Sequence, residues 1–293
     1  MISESIRQKI KKIKIHTKRL MQTSISGDYL SAFKGSGLEF DQLREYQFGD
    51  DVRAIDWNSS AKMNKIMVKQ FIEERDRTII LAIDVSASSR YSSVDELRKD
   101  MIAQVAATLA FVANDSKDKV GAIFFSDKIE KWIAPSRGYA HVGKILEQIF
   151  SIKPEGKKTD ISNFLRFLIN LKKRNSVVFV LSDWIDEIEK YKKLLKVCSI
   201  EYDFIGLKFC DECERCLPNI GILDVQDSET GDVFTIDLRK NGQNKANGFL
   251  FGLYEEQKKL FEKYQIDLLE LAVGQPFVNK LVNFFHKRIR RQI

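Results

Sequence analysis

One short stretch constrains this chain more than any other. The unbroken apolar run Ile79-Ile80-Leu81-Ala82-Ile83 ends in Asp84, Ser86 and Ser88. The run is too short for a helix standing alone and reads as a strand buried on both faces, the usual state of a strand in a parallel sheet. Asp84, Ser86 and Ser88 then stand just past its carboxyl end, where open α/β sheets bind ligands. The stretch contains no Gly, which excludes a Gly-rich phosphate cradle. One carboxylate and two hydroxyls are hard oxygen donors, suited to Mg²⁺, Mn²⁺ or Ca²⁺ rather than zinc. Taken alone, an Asp with serines after a strand also serves as an ordinary helix cap.

The totals set the frame for that strand. The chain has 293 residues, room for one large domain, and its 44% hydrophobic content and 20 Phe supply an ample core. The net charge of +7 favours acidic partners but is modest for nucleic-acid binding. No apolar run approaches a membrane span, and the first residues lack the apolar core of a signal peptide. The expected location is therefore cytoplasmic, with peripheral attachment to the inner membrane as a variant of it. Four Cys in a chain of this length do not make a disulfide framework.

Periodicity organises the rest. Helical patterns are predicted at 94–113, 139–150, after Thr159, at 187–197, at 244–264 and from Pro276 onward. Strands are predicted at 119–125, 129–133, 176–182, 201–209 and 266–271, with a hairpin of 223–225 and 233–236 inserted near 210–240. Strands alternating with helices predict an α/β fold, a doubly wound and mostly parallel sheet with helices on both faces. Residues 2–21 read as a basic amphipathic helix, with Ile2, Ile6, Ile10, Ile13 and Leu20 on one stripe among seven cations. Such a helix packs on its own domain or lies on an anionic membrane surface. The segment 35–57 mixes charges and aromatics without strand or helix period and reads as an ion-paired clasp on the domain, its Phe40, Tyr46, Phe48 and Trp57 too apolar for a free tether. The predicted division is 1–77 for these N-terminal segments and 78–293 for the α/β domain. Cys210, Cys213 and Cys216, with Cys198 upstream, are a second candidate metal set; the alternative is reduced surface thiols, since no second Cys pair completes a zinc site.

Asp84-x-Ser86-x-Ser88 after a strand resembles the metal-ion-dependent adhesion site of von Willebrand factor A domains. That site also takes a Thr from a later loop and an Asp from the end of a fourth strand, and Thr159 and Asp183 stand in those places. Gly35-x-Gly37-Leu38-Glu39-Phe40, then Leu43-Arg44-Glu45-Tyr46, then Gly49-Asp50-Asp51-Val52-Arg53-x-Ile55-Asp56-Trp57 is similar to the signature of the bacterial "domain of unknown function 58" family. Members of that family join this signature to a von Willebrand factor A-like domain. Many are encoded beside MoxR-type AAA+ ATPases.

The resemblance implies a strand order 3-2-1-4-5-6, with Asp84 and Asp183 over one crevice. It implies that Ser86 and Ser88 bind the ion directly, Thr159 directly or through water, and that Asp84 and Asp183 hold waters and orient the hydroxyls. Asp160 is the fallback for Thr159. Where the family usually has glycines before the Thr, this chain has Lys157 and Lys158, which suit an acidic partner. The function this implies is recognition without catalysis. The chain would be a metal-dependent protein-interaction module that takes an Asp or Glu of a partner on the open position of Mg²⁺, Mn²⁺ or Ca²⁺. It would work with a MoxR-type ATPase in assembling or maturing a complex. Two other classes compete. One is a basic surface protein bound to anionic membrane or nucleic acid, which a salt series separates. The other is a metal-dependent hydrolase, against which stands the absence of His from every predicted site loop.

Overall fold

The structure is a computed structural model that describes residues 38–73, 77–90, 97–156, 158–173, 176–211, 217, 221–226 and 232–292. The predicted helix at 2–21, Lys157, Cys213 and Cys216 lie outside the described residues. The chain divides into two compact units, 33–76 and the remainder.

In the smaller unit, β1 (Leu38–Glu45) pairs antiparallel with β2 (Met67–Glu73), and the helix α1 (Trp57–Met63) lies between them in sequence. The sequence reading finds no strand here because the register shifts between Phe40 and Gln42, and a bulge breaks the two-residue alternation that marks a strand. The signature residues hold this unit's turns. Arg44 donates two 2.7 Å hydrogen bonds to the two oxygens of Asp50, a fork-on-fork pair that the Gln47 N–H joins at 2.8 Å. Asp56 caps α1, accepting from Asn58 and Ser59 N–H, and Lys69 pairs with its other oxygen at 3.3 Å. Phe48 and Trp57 are exposed.

The larger unit contains β3 (Thr78–Asp84), β4 (Lys119–Phe125), β5 (Ile129–Ser136), β6 (Val177–Ser182), β7 (Asp203–Cys210), the hairpin β8 (Ile222–Gln226) with β9 (Val233–Asp237), and β10 (Asp267–Ala272). Its helices are α2 (Arg98–Asp115), α3 (Tyr139–Ser151), α4 (Ile161–Leu171), α5 (Ile188–Glu201), α6 (Lys240–Lys263) and α7 (Val278–Gln292). Six strands form one sheet in the order β10-β7-β6-β3-β4-β5. Counted along the chain this is 3-2-1-4-5-6, the order the resemblance implies and that of a von Willebrand factor A-like fold. All neighbours are parallel except β5, which runs antiparallel on β4 at the edge.

The central strands are buried, β6 from end to end and β3 from Ile79 onward, as their unbroken apolar runs require. On one face Ile80, Ala82, Val178 and Val180 pack with Phe164, Leu165 and Leu168 of α4, Leu195 of α5 and Phe261 of α6. Side chains alternate across a strand, so Ile79, Leu81 and Ile83 point to the other face, where α2 lies against β3 and β4. Fully burying each such side chain contributes about 1.5–3 kcal/mol. The Ala-rich length of α2 lets its backbone approach the sheet, with Ala103, Ala106, Ala107, Ala110 and Ala113 all buried. From β3 the chain winds outward first through β4 and β5, then returns to β6 on the opposite side. The loops that follow β3 and β6 therefore diverge, and a crevice opens between them at the carboxyl edge of the sheet.

Candidate functional site: an oxygen-lined crevice between the first and fourth core strands

Asp84 ends β3 and Asp183 follows β6, and both side chains are buried at the crevice. The Asp84 carboxylate is held at both oxygens. The Ser86 N–H donates to Oδ1 at 2.9 Å, and the Ser182 hydroxyl donates to Oδ2 at 2.6 Å. Burial and, after it, the neighbouring Asp183 carboxylate push the Asp84 carboxyl up to about 7, against the opposing pull of the Ser182 and Ser86 hydrogen bonds. The two buried acids, one at the end of each strand, thus disfavour one another's charge.

The chain after Asp84 turns at once into a single helical turn, 87–90, and this brings two hydroxyls together. Ser86 Oγ and Ser88 Oγ are 3.0 Å apart, and the turn is pinned by the Ser89 hydroxyl, which donates to the Ser86 carbonyl at 2.8 Å. Neighbouring ligands of an octahedral Mg²⁺, each about 2.1 Å from the ion, stand about 3 Å from one another. The two serine oxygens fit adjacent positions of such an ion, and the donor set is hard oxygen throughout.

Thr159 arrives on the loop before α4. Val85 N–H donates to the Phe125 carbonyl at 2.9 Å, and Asp160 N–H donates to the carbonyl of the next residue, Ser126, at 3.1 Å. The ends of β3 and β4 and the Thr159 loop are thereby stitched into one crest. The Thr159 hydroxyl is buried. The helix cap is Asp160, not Thr159: its Oδ1 accepts from the Asn163 N–H at 2.9 Å and from the Ser162 hydroxyl at 2.6 Å. Asp160 is therefore committed to the helix, and Asp186 adds a second cap by accepting from the Ile161 N–H at 2.9 Å. Lys158 is exposed beside this loop.

Glu130 on β5 ties the same loop to the sheet edge. It accepts from the Ser126 hydroxyl at 2.7 Å and from the Gly156 and Glu155 N–H groups at 2.8 and 3.2 Å. Gly156 allows this approach, because a Cβ there would lie 2.3 Å from Ser126 Oγ and 1.8 Å from Asp127 Oδ1. Gly156→Ala is accordingly expected to lower the unfolding free energy by about 1–3 kcal/mol, the usual penalty of overpacking. Chemical denaturation checks this, and a variant as stable as the parent would show that the stitching is not under constraint.

The residue that sequence reasoning missed is Arg98. It opens α2, its side chain is 4% exposed, and its Nη1 donates to Asp183 Oδ2 at 2.7 Å and approaches the Ser88 carbonyl at 3.4 Å. A buried ion pair of this kind loses about 3–5 kcal/mol when one partner alone is removed. The signal was present in the sequence. Arg98, Met101, Ile102, Val105 and Leu109 fall at steps of three and four, so the buried stripe of α2 begins with a charge. Leu97, at the position just before the helix, is exposed.

Asp183 takes a second donor, the Ile185 N–H at 3.1 Å on Oδ1. Trp184 fixes this turn: it holds φ at 59°, in the left-handed region, with its N–H on Ser182 Oγ at 3.0 Å and its carbonyl accepting from Gln257 at 2.9 Å.

Of the four Cys, the two within the described residues, Cys198 and Cys210, are not brought together. Cys198 is buried near the end of α5, one turn before β7 begins, with its thiol pointed at the Leu165 carbonyl and pushed up to about 12 by burial. Cys210 ends β7, seven steps of about 3.3 Å away along the strand. The two stand at opposite edges of the sheet and cannot share an ion. Among the described residues no group of three or more His, Cys, Asp or Glu side chains is placed to hold a metal.

Of the three His, His141 bonds to the Val120 carbonyl at the opposite edge of the sheet from the crevice, His286 lies on α7, and His16 is outside the described residues. No helix of the described residues is long and apolar enough to cross a membrane.

Comparison with known proteins gives a family match over residues 42–246, to the family described as "Protein of unknown function DUF58". An uncharacterised protein of Mycobacterium bovis is 25% identical over 232 residues, covering 78% of this chain and 73% of that protein. The uncharacterised protein YeaD of Bacillus subtilis is 29% identical over 108 residues, which cover 36% of this chain and 25% of that protein. Among solved structures, the conserved hypothetical protein BatB from Bacteroides thetaiotaomicron superposes with a TM-score of 0.46 at 14% identity, over 73% of this chain and 99% of that chain. The SpRpn10 VWA domain gives 0.40 at 10% identity, over 71% and 94%.

Proposed function

This chain belongs to the DUF58 family, and from that premise we propose that it is a protein-interaction module whose recognition site is a divalent ion held in the crevice. The observation that carries the reading is the pair of serine hydroxyls 3.0 Å apart beside two buried carboxylates. In this reading Ser86 and Ser88 bind Mg²⁺ or Mn²⁺ directly, and Thr159 completes the loop side. Asp84 and Asp183, whose oxygens already take hydrogen bonds from the chain, act on bound water and on the hydroxyls. When bound, the ion supplies a Lewis-acidic position for an anionic oxygen.

The partner group is an exposed Asp or Glu of another protein, and the proposed partner is a MoxR-type AAA+ ATPase or a substrate presented with it. Lys158, exposed at the crevice rim, and Lys157 beside it in sequence add positive potential that speeds encounter with such a carboxylate. The reading is recognition rather than turnover. A hydrolase needs a group to take a proton from ion-bound water, and neither of the described His stands at this edge.

Surface plasmon resonance with the candidate ATPase tests this. Binding is expected in Mg²⁺ or Mn²⁺ and lost in chelator, and Ser86→Ala with Ser88→Ala is expected to abolish the metal-dependent part. Changing Lys157 and Lys158 to Glu is expected mainly to slow association. Equal binding in chelator and in Mg²⁺ would remove the ion from the interaction.

A further inference from the structure

We infer that Arg98 is a built-in cation of the crevice, a positioning residue that joins its two loops without a metal and sets how tightly a divalent ion binds. The inference rests on the divalent-ion reading above. Arg98 comes from a third element, α2, and reaches both sides of the crevice. One contact is Asp183 Oδ2 after β6 at 2.7 Å, and the other is the Ser88 carbonyl after β3 at 3.4 Å. Both charged side chains are almost fully buried, at 4% and 2% exposure. A guanidinium does not release its proton in a protein, so this charge is permanent.

Two consequences follow from the geometry. Asp84, Asp183 and Arg98 together carry a formal charge of −1, where the two acids alone would carry −2. Divalent affinity in oxygen sites rises with the charge of the donors, so Arg98 weakens binding. The second consequence concerns order. The Arg98–Asp183 pair keeps Asp183 in place whether or not an ion is present, so the crevice stays assembled while the ion exchanges. An interaction module that must release its partner is served by an ion site of moderate affinity on a scaffold that does not unfold when emptied.

The test is Arg98→Met in the full chain, compared with the parent and with Arg98→Lys. Chelator-stripped protein is titrated calorimetrically with Mn²⁺ and melted with and without Mg²⁺. Arg98→Met is expected to bind Mn²⁺ about tenfold tighter or more, because a like charge no longer faces the ion. Its melting temperature in chelator is expected to fall below the parent's and to recover on adding Mg²⁺, while the parent changes less. Arg98→Lys keeps the charge and is expected to keep an affinity close to the parent's. A lost packing contact alone would not raise ion affinity.

If Arg98→Met is unfolded in chelator, folding on addition of Mn²⁺ supports the inference, and failure to fold with Mn²⁺ overturns it. Affinity equal to or weaker than the parent's also overturns it and leaves the divalent-ion reading standing. Absence of Mn²⁺ binding in both proteins overturns the inference and that reading together.

Discussion

Trp184→Ala is expected to lower the unfolding free energy by about 3–5 kcal/mol, the range for emptying a large aromatic site in a core. The indole is 2% exposed and anchors the turn that presents Asp183. Its ring meets Phe261 edge to face with centroids 4.9 Å apart, and Phe204 and Tyr191 at 6.3 Å each. These partners come from β7, α5 and α6, so the side chain ties three elements to the end of β6. Gly206 on β7 leaves the space, because a Cβ there would lie 2.8 Å from Phe261 and 3.4 Å from Trp184 itself. With rigid neighbours on several sides the hole cannot close, which places the cost at the upper part of the range. The left-handed backbone at residue 184 adds to it, since an unanchored alanine has no packing to offset that conformation. Denaturant unfolding measures the loss as a shifted midpoint with an unchanged slope. A loss below about 1 kcal/mol would mean that the turn does not depend on the indole.

How much of this was legible in the sequence varies with the kind of signal. The buried strand at 78–84 and its oxygen-bearing end were legible, because an apolar run that stops at an acid and two serines has few other uses in an α/β chain. The strand order was not legible from periodicity, which says nothing of neighbours. It came from the resemblance, and the sheet agrees with it. β1 escaped because the bulge after Phe40 shifts its alternation by one residue. Thr159 and Asp160 are both good capping residues, and only the backbone decides that Asp160 caps α4. Arg98 was missed because a charge at the end of a helix is ordinarily assigned to solvent. Only the fold brings Asp183 to it from 85 residues away. The distance between two of the four Cys was not legible either. Sequence spacing cannot show that a strand's full length separates Cys198 from Cys210.

Asp84→Ala is expected to remove divalent binding and leave the domain folded. The two halves of that expectation have separate causes. Asp84 orients Ser86 through the Ser86 N–H and holds Ser182 across the crevice, so its loss releases the hydroxyl pair from one of its fixed supports. Removing an orienting group of this kind costs about 10–100-fold in metal affinity. Here the effect lies at the upper end, because the site also loses one of its two negative charges. Stability should change little by comparison. The deleted carboxylate is one that burial and Asp183 already disfavour, and its removal relieves that repulsion while two hydrogen bonds are lost. Circular dichroism melts in chelator check the fold independently of the ion.

The central claim is that the Asp84, Ser86, Ser88, Thr159 and Asp183 crest holds one divalent ion. Calorimetric titration of chelator-stripped protein with Mg²⁺ and Mn²⁺ tests it most directly, run side by side on the parent and on Asp84→Ala. The account predicts one ion per chain in the parent and no measurable binding in the folded variant. Binding of equal affinity in the two, or no binding by the parent, would contradict it.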